Sequence, residues 1–140
     1  MLCLDNDVFR RYTNEPPDRD VVNYLAAHHE EPWGLPAIVL FEWLQLYESH
    51  ATIRTRRSQA DEVIDEVLDI DEDVAVEAAN MRARLATADA SLDLADLLAA
   101  ATARQADATF VTGNANDFDK TPVHELMDVE ILDFSSPSLE

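Results

Sequence analysis

The chain has 140 residues, 47% of them hydrophobic, enough for one buried core and too few for two, so it reads as a single domain over residues 1–140. No apolar run approaches the roughly 20 residues that span a bilayer, the start is not a basic stretch leading into an apolar one, and a single cysteine excludes a disulfide framework or a thiolate metal site; a soluble cytoplasmic protein, with no membrane partner, is expected. Against 29 acidic residues stand 10 basic ones, a net charge of −19 with Lys120 the only lysine, which argues against the broad basic surface that ordinarily holds nucleic acid.

Met1 to Leu4 is a short apolar run ending in acids and predicts a buried strand, with Cys3 as a small buried hydrophobe. A helix is expected from about Val8 to Tyr12, then a turn at Asn14 to Asp18 around two prolines. An amphipathic helix through Val21, Val22, Leu25 and Ala26 runs to about His29 and is ended by Pro32. Gly34 to Val39 reads as a second strand, and Leu40 to about Thr55 as helix, with Phe41, Leu44, Leu46 and Tyr47 available for its buried side. Ser58 to Leu68 reads as helix, Val67 to Ile70 as extended, and Asp71 to Ala86 as helix with acids in its first turn, where the helix dipole favours them. After a loop that begins between Ala83 and Ala90, Leu92 to Gln105 forms an alanine-rich helix able to approach a sheet closely. Ala108 to Val111 and Val129 to Phe134 are further strands. This alternation predicts an α/β fold of three layers, a central parallel sheet of four to five strands with helices on both faces, and ligands bound at the carboxyl ends of the strands.

In so acidic a chain only carboxylates set in apolar surroundings are informative, and four qualify. Asp5 ends the first strand. Glu42 interrupts the apolar stretch Leu40 to Leu44, Asp96 opens the most apolar part of the alanine-rich helix, and Asp117 follows the strand at Phe110 and Val111. Parallel neighbouring strands would bring these positions to one edge of the sheet. Carboxylates crowded together raise one another's pKa unless a cation neutralises them. A hard ion such as Mg²⁺ or Mn²⁺ takes oxygen ligands, keeps waters and can also hold a phosphate oxygen, the chemistry of metal-assisted phosphodiester hydrolysis. Taken singly, each acid could equally be a helix cap or part of a solvated face.

Four segments resemble the PIN-domain ribonucleases, and specifically toxins of the VapBC type, over nearly the whole length. Leu4-Asp5-Asn6-Asp7-Val8 resembles the first-strand motif, and Pro36 to Leu44 the segment supplying a Glu. Asp96 to Ala103 resembles an Asp-x-x-x-Ala-Ala-x-Ala helix, and Val111-Thr112-Gly113-Asn114 with Asp117-Phe118 a Thr-x-Asn-x-x-Asp-Phe element. The last two, at this separation, are the specific part. The resemblance implies a PIN-like fold and a ribonuclease in which Asp5, Asp96 and Asp117 ligate Mg²⁺ or Mn²⁺ directly or through water and Glu42 completes the pocket. It further implies that Thr112 and Asn114 hold the loop by hydrogen bonds, that a small antitoxin inserts an arginine or similar group into the acids, and that the toxin is a homodimer. Asp7 stands where many relatives carry Asn; the extra carboxylate could add to metal affinity or cap the following helix, and the cap is the favoured reading.

Arg10 and Arg11, a turn beyond the first motif, could bring a guanidinium to the rim of the site or simply lie on a solvated face. Arg54, Arg56 and Arg57 form the only basic cluster, open to RNA, to a partner or to the acids at Asp61 to Glu66. His28, His29, His50 and His124 lack ligand spacing and read as surface or partly buried groups. A haloacid-dehalogenase phosphatase would also place Asp5-x-Asp7 after a strand, but Phe9 stands where it needs Thr or Val, and Lys120 comes after the last acids instead of before them. A receiver domain fails for want of a mid-chain acceptor Asp followed by a lysine-bearing strand. A catalytically silent PIN-fold binding module is the other alternative, opposed by the intact acidic set. The acidic, arginine-for-lysine surface resembles proteins of salt-accumulating archaea, in which about 1 M salt screens self-repulsion to within roughly 3 Å; the competing reading is an acidic mesophilic protein whose surface attracts a basic partner.

Overall fold

The computed structural model describes residues 1–134. Five short strands, β1 (Leu2–Leu4), β2 (Trp33–Pro36), β3 (Glu66–Leu68), β4 (Thr109–Thr112) and β5 (Val129–Ile131), form one parallel sheet in the order β3-β2-β1-β4-β5. Between them lie α1 (Asn6–Thr13), α2 (Arg19–Ala27), α3 (Ala37–Leu44), α4 (His50–Val63), α5 (Glu72–Thr87), α6 (Leu94–Gln105), α7 (Ala115–Phe118) and α8 (Thr121–Leu126). Crossovers outward from β1 to β3 and back across to β4 and β5 must be right-handed, so α1 to α4 cover one face and α5 to α8 the other. The predicted α/β architecture is thus observed, with five strands.

The central strand β1 is buried at every position, as are Leu35 in β2 and Phe110 and Val111 in β4, and the core continues into Val8 and Phe9 of α1 and Trp43 of α3. Phe9 meets Trp43 edge-on, with ring centroids 5.0 Å apart, which fixes α1 against α3. Small residues let α6 lie close to the sheet: Ala99, Ala100, Ala101 and Ala103 are all buried. Among the described residues no helix is long and apolar enough to cross a membrane.

Several elements differ from expectation. The second strand stops at Pro36, and Ala37 to Val39 already belong to α3, because the proline's fixed φ suits the residue before a helix. The single helix expected from Leu40 to Thr55 is two: α3 ends at Leu44 and Ser49 caps α4, its hydroxyl accepting the Thr52 N–H. That break leaves Phe41 (58%) and Leu46 (53%) exposed, while Tyr47 turns back edge-on to Trp43. Helix α4 ends at Val63, so Glu66–Leu68 is strand and not the end of a helix, and Asp69 and Ile70 lie beyond it. The chain between β4 and β5 contains two short helices, and β5 is shorter than the run to Phe134.

Arg11 is buried, and its guanidinium binds Asp18 at 2.7 Å and lies over the Phe134 ring, 3.9 Å from the centroid. Asp18 also caps α2 by accepting from the N–H groups of Asp20 and Val21. Asp18→Ala removes a cap and a counter-charge together. It should cost about 2–4 kcal/mol in urea unfolding, and Asp18→Asn, which can still cap, should cost less; equal losses would contradict this division of labour.

Candidate active site

The carboxyl ends of β1 and β4 are neighbours, in register through Leu4 and Val111, and the Asp5 N–H continues the ladder to the Val111 carbonyl at 2.9 Å. Asp5 therefore leaves the sheet directly beside Thr112. Its carboxylate, 7% exposed, accepts the Thr112 hydroxyl at 2.7 Å on one oxygen and the Asn6 N–H at 2.8 Å on the other. That second bond makes Asp5 the N-cap of α1.

The cap expected of Asp7 is thus made by Asp5. Asp7 sits in the first turn of α1 and reaches across to β4, accepting the Gly113 N–H at 2.9 Å. Local sequence could not show this, although a glycine between a strand end and a capping Asn was the available signal. A Cβ at Gly113 would overlap the Phe134 ring and come 2.9 Å from the Asp7 carboxylate, so the close approach needs glycine. The other Asp7 oxygen, Oδ1, is buried with no hydrogen-bond partner among the described residues.

Asn114 begins α7 and organises Asp117 by two reciprocal bonds: its side-chain amide donates to the carboxylate at 2.8 Å, and its Oδ1 accepts the Asp117 N–H at 3.2 Å. The Asn114 N–H in turn donates to the Thr112 hydroxyl at 3.1 Å, so Thr112 links Asp5 to the turn carrying Asp117. Asp96 lies in the first turn of α6, which runs antiparallel to the strands and starts at the same edge of the sheet. Glu42 is on α3, half-buried, next to the buried Trp43. The neighbouring acids have other duties: Asp93 is the exposed N-cap residue of α6, and Asp119 accepts from His124 at 2.9 Å.

Electrostatics ties these groups together. Burial pushes Asp5 up to about 7, with Asp7 and Asp96 adding repulsion and the Thr112 and Asn6 bonds opposing it. Burial raises Asp96 to about 6, helped by the charges of Asp117, Glu42 and Asp93 and by a hydrogen bond to Asp117 that only the protonated form can make. Asp7 and Glu42 are also raised, chiefly by burial; the Gly113 and Val8 N–H groups, Arg11 and Arg10 oppose this at Asp7, and Arg10 opposes it at Glu42. Both arginines thus act on the acids, Arg11 while it binds Asp18 and lies over Phe134. All four predicted carboxylates, with Asp7, Thr112 and Asn114, belong to this one neighbourhood.

Hard oxygen donors and mutual repulsion between half-buried and buried carboxylates fit a hard divalent cation. Among the described residues, however, no three His, Cys, Asp or Glu side chains stand close enough to hold one ion together. The donor set therefore suits Mg²⁺ or Mn²⁺ held by one or two carboxylates and otherwise through water better than a dehydrated ion in an all-protein cage.

No curated protein matches the chain significantly in sequence. Among solved structures, FitAcB from Neisseria gonorrhoeae is 25% identical with a TM-score of 0.72, covering 92% of this chain and 96% of that one. VapBC-5 from Mycobacterium tuberculosis, a member of the VapBC family of toxin-antitoxin systems, is 27% identical with a TM-score of 0.58, covering 93% and 95%. VapBC2 from Rickettsia felis, bound to a promoter DNA fragment, shares the fold with a TM-score of 0.75 at 20% identity, covering 94% and 98%. The sequence description of the PIN domain matches residues 2–123, and the chain accordingly belongs to the PIN-domain family.

Proposed function

We propose that the chain is a Mg²⁺- or Mn²⁺-dependent ribonuclease, the toxin of a VapBC-type toxin-antitoxin pair. The observation that carries the reading is the buried Asp5 carboxylate, fixed by Thr112 at the edge of the sheet where Asp96, Asp117 and Glu42 also gather. Asp5, Asp96 and Asp117 are the residues to hold the ion, directly or through water, and Glu42 closes the pocket beside them. When bound, such an ion activates a water and neutralises charge on the attacked phosphate. Thr112 and Asn114 hold Asp5 and Asp117 in place from behind, as outer-sphere partners do around metal ligands. Burial keeps Asp5 and Asp96 poorly hydrated, so that a cation is the strongest available partner for their charge.

The family and the toxin-antitoxin membership of a 27% identical neighbour support this reading. They also support an antitoxin partner that offers a cationic side chain to the same carboxylates and so competes with the metal. A homodimer is the assembly we propose.

Cleavage of single-stranded RNA should require added Mn²⁺ or Mg²⁺ and should fall to background in Asp5→Asn and in Asp96→Asn. Cleavage that persists in both variants, or in the presence of chelator, would sink the mechanism. Metal binding must displace protons from acids whose pKa is raised, Asp5 to about 7 and Asp96 to about 6. At limiting Mg²⁺, activity should therefore rise through these two values and level off above them. A profile already flat from about pH 5, near the ordinary range of exposed carboxylates, would show that the acids titrate normally.

A further inference from the structure

Three other cavities carry carboxylates. One near the start of β5 has Asp107, Glu125 and Asp128 at its walls beside Arg104 and His124, one beside α4 has Glu15 and Glu62 beside Arg56, and one at β3 has Glu66, Asp69 and Asp71. A fourth, of about 250 Å³, differs. It lies where the end of α5 turns into α6, with Leu85, Leu92 and Leu97 as its apolar wall, Ala86 and Ser91 beside them, and Arg82 as its only charged residue. In a chain of net charge −19, Arg82 forms no ion pair among the described residues.

The position matters as much as the charge. Leu97 directly follows Asp96 in the first turns of α6, and Ser91 and Leu92 lead into Asp93, so the cavity wall and a carboxylate of the site share one short stretch of chain. Leu94, between them, is 63% exposed. The volume falls just below the roughly 300 Å³ at which pockets for larger ligands begin, a size for one planar base and not a whole nucleotide. An apolar wall with one guanidinium and no carboxylate fits the face of a flat ring attached to an anion, with the ring's polar edge left to Ser91 and solvent.

We propose that this cavity receives one unpaired nucleobase of the RNA strand next to the scissile phosphate, with Arg82 on a phosphate of the same segment. This rests on the ribonuclease reading. It supplies what a surface of this charge otherwise lacks, because base insertion and one local cation hold the strand without a general basic face, and it restricts the substrate to single-stranded RNA, whose bases can turn outward.

The test uses short fluorescein-labelled homopolymers of rA, rC, rG and rU, with binding read by fluorescence anisotropy in chelator and cleavage read separately in Mn²⁺. Ala86→Trp fills the cavity from an exposed position, and Arg82→Gln removes the charge. Each should weaken binding of at least one homopolymer roughly tenfold, the effect expected of one lost base contact, and raise KM with little change in kcat. Arg82→Gln should also lower the slope of log affinity against log salt by about 0.7, as loss of one phosphate contact on a single strand requires. Binding by both variants equal to the parent chain overturns the proposal whatever cleavage does. If Ala86→Trp instead leaves RNA binding intact and shifts sedimentation of the protein alone, the cavity is a contact between copies and the proposal is likewise overturned. A parent chain that binds RNA without cutting it removes the nuclease reading but leaves the binding comparison decisive; one that cuts in Mn²⁺ but binds none of the four in chelator overturns the proposal alone, and one that neither binds nor cuts removes both.

Discussion

The hydrogen bond from Thr112 to Asp5 joins the end of β4 to the end of β1 across 107 positions of sequence, and the acidic site is organised around it. Through the Thr112 hydroxyl the link passes to the Asn114 N–H, and through the Asn114 side chain to Asp117. A second tie between the same two strand ends runs from Gly113 to Asp7. Together they hold buried carboxylates at spacings that mutual repulsion opposes. Donor groups from one strand end stabilise the charges at the other, and the raised pKa values of Asp5 and Asp96 show that this compensation is incomplete. The remainder is what a divalent cation, or a cationic side chain from a partner, can neutralise.

Much of this was legible in the sequence wherever burial and local chemistry agreed. Leu2-Cys3-Leu4 and Phe110-Val111 are apolar runs with no polar interruption, and both are central strands. Asp5, Asp96 and Asp117 stood out because each adjoins such a run or an alanine-rich helix, where a solvated charge has no reason to lie. What escaped was decided by tertiary contacts. No proline or glycine marks the break between α3 and α4; Tyr47 folds back on Trp43 there, and Ser49 alone gave a local sign. Asp7 carried a plausible local role as a cap, and only the neighbouring strand reveals its bond to Gly113. Arg10 and Arg11 were inseparable by position, and both act on Asp7, yet only Arg11 lies buried over Phe134 and only Arg10 also acts on Glu42.

The global charge and the local site belong to one electrostatic problem. A chain at −19 repels RNA at long range unless salt screens it, so on the proposed ribonuclease reading recognition would have to come from short-range groups: an ion at the acids and a few arginines. Solvent rich in salt weakens the repulsion between exposed acids far more than that between buried ones. The inner carboxylates therefore stay strained toward protonation under conditions in which the outer surface is comfortable.

Buried and mutually repelling, these carboxylates should destabilise the metal-free fold, and a cation should relieve the cost. Because the folded pKa of Asp5 lies above its unfolded value, the native state binds the extra proton, and the contribution of Asp5 to metal-free stability falls as pH rises from about 4 to about 7. Thermal unfolding of the parent chain and Asp5→Asn at about pH 8, with and without Mn²⁺, tests it directly. Without metal the variant should be the more stable, by no more than about 4 kcal/mol, and Mn²⁺ should raise the Tm of the parent chain but hardly that of the variant. A less stable Asp5→Asn in chelator, together with a Tm indifferent to Mn²⁺ in both, would contradict the account.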